Sequence, residues 1–105
     1  MITIKLLSIP WYVRCIEACG WMTPDGKNIL VKKGDFFSTC IAKRTDEIGE
    51  DIIIFDLNHC FCWGTDHAPS SFFEILTKCP TKDIKDRVTA FNTTNKNITI
   101  IFPKG

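Results

Sequence analysis

The stretch 51–64, reading D-I-I-I-F-D-L-N-H-C-F-C-W-G, constrains the fold more than any other part of the chain. Ile52, Ile53, Ile54 and Phe55 favour extended backbone, Asp56-Leu57-Asn58 is a polar break, and an aromatic run follows, a pattern that predicts a β-hairpin. Asn58 tolerates the left-handed conformation and Leu57 does not, so a three-residue Asp56-Leu57-Asn58 loop is expected. Side chains alternate along a strand, which puts His59, Phe61 and Trp63 on one face and Cys60 and Cys62 on the other. Residues 52–55 are apolar at both parities, so the hairpin needs cover on two sides.

That cover has to come from a single domain, because 105 residues provide one core and no more. Strand candidates at 2–8, 11–19, 29–32, 36–44 and 71–76 are separated by turn signals. Pro24 and Gly26 make 23–27 one such turn, and Lys33-Gly34-Asp35 is another. Short strands at this spacing indicate an all-β barrel or sandwich more than a βαβ unit. The tail differs: Thr81 is placed to cap a helix, Asp83 suits its first turn, and Ile84, Val88 and Phe91 form an i, i+4, i+7 stripe. A last strand at 97–102 is stopped by Pro103, and this tail is the expected second cover for the hairpin.

Four segments in order carry a resemblance. Val13-x-Cys15-Ile16, Leu30-Val31-Lys32-Lys33-Gly34-Asp35-x-Phe37, Ile52-x-Ile54-x-Asp56 and Phe72-Phe73-Glu74 resemble short bacteriophage-encoded proteins with an SH3-like β-barrel, over residues 11–76. The chain departs from that pattern at Asn58, where the pattern has Gly, at Phe37 for Tyr, and at Asp35 for Lys; the tail from Thr77 has no counterpart. The resemblance implies a phage or mobile-element origin. The expected fold is α+β: one domain, 1–105, with a small SH3-like antiparallel β-barrel at 11–76 and a C-terminal helix and strand extension at 77–105.

Charge narrows the function classes. Thirteen Lys and Arg against twelve Asp and Glu leave a net charge of +1, which argues against a polyanion mimic and against a general nucleic-acid coat. The charges are sorted, however, with residues 45–77 lacking any Lys or Arg and carrying seven acids. The acidic middle either pairs with basic strands beside it or, through residues such as Glu47 and Glu50, docks on something basic. The start of the chain reads as strand, without the features of a secretory signal, and no apolar run reaches membrane-spanning length, so a cytoplasmic location in a host cell and no membrane partner are expected. In that reducing setting the six cysteines are expected as thiols.

Three chemistries are open to the side chains. Zinc has donors in His59, Cys60, Cys62, His67 and Cys79, with His59, Cys60, Cys62 and His67 as the alternative ligand set. The spacing lacks the usual paired knuckles, and Cys15 and Cys19 are about 13 Å apart if the strand is extended. No metal and no cofactor is therefore expected. A cysteine nucleophile is disfavoured because both histidines lie in the acidic segment, where a thiol is harder to ionise, and no assembled catalytic motif is present; a non-enzyme is expected. Nucleic-acid binding by a small barrel is an alternative, through Arg14, Lys32, Lys33 and Lys43 with aromatics for stacking. The leading reading is a protein-binding module in which Trp63 or Trp21, beside the 64–70 loop, is the anchor and Asp66 and His67 form its rim. The resemblance implies a host protein as partner, with inhibition of a host defence system as the biological role. Homo-oligomerisation through the 51–64 hairpin is a further option.

Overall fold

Residues 1–23, 26–64 and 72–103 are described in the computed structural model of the chain. They form β1 (Ile2–Leu6), β2 (Trp11–Cys15), β3 (Cys19–Met22), β4 (Asn28–Val31), β5 (Phe36–Thr45), β6 (Glu50–Asp56), β7 (Phe61–Gly64), β8 (Phe73–Lys78), α1 (Thr81–Thr94) and β9 (Ile98–Ile101). The ten-residue β5 is the axis of a single sheet. One of its edges pairs with β6, Thr39 opposite Asp56 through Thr45 opposite Glu50. The other edge is shared, because β2 covers Phe36 to Thr39 and β1 covers Ala42 to Thr45. Between them the chain steps away at 7–10, where Pro10 has no N–H to give to a ladder, although the Leu7 N–H still reaches the Ile41 carbonyl at 3.0 Å.

This split overturns the expected α+β fold with its SH3-like barrel, since the described residues are mostly β with one short helix. The sheet runs β4-β3-β7-β6-β5-β1-β9, with β8 attached to β2 as a branch, and it is mixed and not closed. Closing a barrel needs one continuous register around the ring. Here β5 feeds two branches on the same edge, and β1 and β9, both outside the expected 11–76 barrel, belong to the same sheet, with β9 parallel to β1. The strand expected over 11–19 also divides. Residues 16–18 turn the chain after Cys15, held by the Ile16 N–H on the Phe72 carbonyl, so β3 leaves β2 and pairs with β4 and β7.

The two faces of the sheet bury different residues. On the helix face Ile4, Leu6, Ala42, Ile53, Phe55 and Ile100 pack with Ile84 and Val88 of α1, and Phe91 completes the expected stripe. On the opposite face Val13, Phe37, Ile54, Trp63 and Phe73 meet Trp21 and Val31, brought over by the curl of the sheet. The aromatic rings there touch in several orientations, Trp21 stacked on Phe37 at 5.3 Å and edge-on to Phe73 at 5.5 Å. Thus the tail does cover one side of the 51–64 hairpin, while β3 and β4 cover part of the other.

The helix differs from expectation at its start. Pro80, extended at φ −61° and ψ 133°, occupies the cap position and Thr81 is the first helical residue, so no side chain caps the first turn. At the far end the helix continues through Asn92, whose amide does specific work. Its Nδ2 donates to the Ile100 carbonyl and its Oδ1 accepts from the Ile100 N–H, both at 2.8 Å. The side chain imitates a neighbouring strand and closes the outer edge of β9.

Candidate functional site

The hairpin tip is set by one carboxylate. Asp56 is fully buried and accepts from the Ser38 N–H at 2.8 Å, the His59 N–H at 2.8 Å and, at 2.5 Å, His59 Nδ1. Burial pushes the Asp56 carboxyl above its ordinary range, and the bonds from Ser38 and His59 oppose that shift. Those bonds widen the expected loop: Asp56 stays in β6, residues 57–60 make the turn, and Cys60 at φ 57° takes the left-handed position expected of Asn58. The conformation costs a non-glycine residue about 1–2 kcal/mol, which the buried network around Asp56 offsets. His59 then lies over Phe61, ring centroids 5.5 Å apart, and against Phe37 at 5.0 Å. Its imidazole is an aromatic member of the core rim.

Cysteine placement argues against thiolate chemistry. Cys62, and Cys60 in part, pack into the core on the helix face, while the His59 ring stacks on Phe61 and Phe37. Burial pushes the Cys40 and Cys62 thiols up to about 12, and Cys19 is pushed up to about 12 by burial and then by Cys15. The Cys19 thiol is hydrogen-bonded to Cys15, because the turn at 16–18 removes the extended spacing of about 13 Å expected from the sequence. Among the described residues no three His, Cys, Asp or Glu side chains converge as a metal site. His59, Cys60 and Cys62 of the alternative zinc set divide between two faces, and His67 lies outside the described residues.

The tryptophans exchange roles. Trp21 is 1% exposed and Trp63 9%, so both expected anchors are core. Among the described residues the Trp21 indole N–H has no acceptor better than the Cys19 sulfur, a weak one. Asp66, proposed with His67 as the rim, also lies outside the described residues. Glu47 and Glu50 are exposed and engaged, Glu47 with the Met1 ammonium at 3.0 Å and Glu50 with Lys43 at 3.6 Å. Arg44 holds Asp46 at 2.8 Å, so the acidic middle is met by basic partners at several points. The proposed nucleic-acid residues do not gather either. Arg14 is paired with Glu74, and Lys43 lies at the other end of β5 from the Phe36 that Arg14 faces, seven residues or about 23 Å away. Lys32 and Lys33 are exposed in the turn before β5.

A tryptophan not named as an anchor stands at the surface instead. Trp11 is 44% exposed at the mouth of an apolar groove of about 450 Å³. Val13 and Ile54 floor it, Thr39 and Ile41 of β5 run along it, and Phe73 and Ile75 of β8 form the far wall, with Ile75 67% exposed. The groove exists because the curl of β3 and β4 covers only the Phe37 end of this face. Leu7 and Ile52 are also exposed, and Ile52 shares the face with Ile41 and Ile54 by register. The sequence signal for the site was the odd parity of β2, Trp11, Val13 and Cys15, which continues from core to surface.

A second depression of about 650 Å³, more polar than the groove, touches Lys27, His59, Cys60, Asn95 and Lys96. It opens at the C-terminal end of α1, whose carbonyls disfavour an anion between those lysines. Among the described residues no helix is long and apolar enough to cross a membrane. No protein-family model matches the chain, and no curated protein or solved structure matches it.

Proposed function

We propose that the chain is a non-catalytic binding protein that docks another protein through the groove between β2, β5, β6 and β8. The observation that carries this reading is Trp11, a large apolar side chain left half in water beside an apolar groove, although the same fold buries Trp21 and Trp63. Exposed aromatics next to grooves act as interface anchors because their burial releases the most water per side chain fixed. The chemistry of the remaining groups supports binding over catalysis: Asp56 and His59 hold a turn, and the Cys40 and Cys62 thiols stay protonated at neutral pH. The resemblance to phage-encoded proteins makes a host protein, a defence component among them, the partner class to present.

The test is capture from host lysate on immobilised protein, with and without nuclease, using wild type and Trp11→Ala. A protein retained by the wild type, insensitive to nuclease and lost with Trp11→Ala at unchanged melting temperature supports the reading. Capture that nuclease abolishes, or that Trp11→Ala leaves intact, sinks it.

A further inference from the structure

The register fixes which charges surround the groove. Lys43 of β5 is directly opposite Lys5 on one side and Ile52 on the other, so all three share the face of Ile41. Lys78 of β8 is opposite Trp11. Glu50 answers Lys43 at 3.6 Å, but Lys5 and Lys78 have no ion-pair partner among the described residues. Two ammonium groups directly opposite each other across a ladder are mutually unfavourable, and one glutamate neutralises only one of them. An incoming carboxylate relieves that repulsion.

We propose that the groove takes an extended segment of a partner protein in which one large apolar side chain is flanked by carboxylates. The apolar side chain lies on Ile41 beside Trp11, one carboxylate meets Lys5 and Lys43, and the other meets Lys78. The proposal rests on the docking reading above and adds the chemistry of the ligand. Its spacing follows from the ladder. Trp11 and Lys78 are level with Thr39, and Lys43 is four residues further along β5, about 13 Å. Four residues of extended peptide span the same length, so the carboxylates fall about two positions either side of the apolar residue.

The experiment uses a fluorescein-labelled peptide with Asp-Ser-Phe-Ser-Asp at its centre, a twin with both Asp changed to Asn, and a third with both changed to Lys. Fluorescence anisotropy with the full chain should show the acidic peptide binding at least about tenfold more tightly than the Asn twin, with the difference shrinking in high salt. The Lys5→Glu, Lys78→Glu double variant should reverse the preference and take the Lys peptide. Both residues are exposed, and circular dichroism checks that the variant is folded. Equal binding of the acidic and Asn peptides, both lost with Trp11→Ala, would overturn the charge selection and leave the docking reading standing. Trp11-dependent capture of a partner that Lys5→Glu and Lys78→Glu leave untouched would also overturn it. So would concentration-dependent dimerisation abolished by Ile48→Asp. That result gives the groove to a second copy, whose turn Glu47-Ile48-Gly49-Glu50 carries Ile48 at 95% exposure between two acids.

Discussion

Asp56 and Ser38 are the fully buried polar residues among those described, and Asp56 is the one that carries a charge. Its carboxylate accounts for the Ser38 and His59 N–H groups and for the His59 ring, so removing it leaves the buried Ser38 N–H and the part-buried His59 N–H without partners. Asp56→Ala is expected to cost at least about 2 kcal/mol in urea unfolding, since each buried unsatisfied group costs about 1–3 kcal/mol. Asp56→Asn should cost less, because an amide oxygen still serves Ser38 and the charge that burial disfavours is gone. The thiols predict the alkaline limit of stability. Cys40 and Cys62 ionise near 12 when folded and near 9 when unfolded, so between those values the folded chain holds protons that the unfolded chain releases. The thiols' contribution to stability is therefore full below pH 9 and is lost as pH rises, by up to about 1.4 kcal/mol per pH unit for each thiol. Cys19 shifts in the same direction and adds a smaller share. Melting temperatures measured from pH 8 to 11 check this, and Cys40→Ser with Cys62→Ala should flatten the decline.

Among the elements, α1 and β9 act as one unit on the helix face. Ile84 and Val88 close the core over Phe55 and Ile53, and Asn92 ties the end of the helix to the edge of β9. Asn92→Ala frees both backbone groups of Ile100. The expected result is a loss of about 1–3 kcal/mol and faster exchange of the Ile100 amide than of amides in β5, read by hydrogen-exchange NMR. The edge of β8 is managed differently: its register against β2 shifts between Tyr12 and Val13, a bulge that bends the strand, and Lys78 sits at its end. Asn92 in the sequence reads only as a polar residue beyond an apolar stripe. Its role depends on β9 returning beside β1.

At the scale of the whole molecule, the same sheet face is core at one end and surface at the other. This predicts opposite behaviour for two tryptophans. Trp21→Ala should cost about 3–5 kcal/mol, as for other large aromatic truncations in a core, while Trp11→Ala should change stability by less than about 1 kcal/mol and remove partner binding. Chemical denaturation of the two variants, run beside the capture experiment, separates the roles. The 51–64 hairpin is central in the sheet, β6 between β5 and β7 and β7 reaching β3, so its edges are used within the chain. That placement turns attention for self-association from the hairpin to the groove and the Ile48 turn.

By itself the sequence determined what local patterns determine. The apolar run at 52–55 demanded a hairpin covered on two sides, alternation sorted Phe61 and Trp63 from Cys60 and Cys62, and the stripe of Ile84, Val88 and Phe91 specified the helix that provides one cover. Only the tertiary structure decided that the sheet stays open, because that turns on where the chain steps away at 7–10 and turns at 16–18 and on a parallel return of β9, which no periodicity encodes. The site followed the same division. Trp11, Trp21 and Trp63 are equivalent by residue type, and which one reaches water depends on how far β3 and β4 curl across the face.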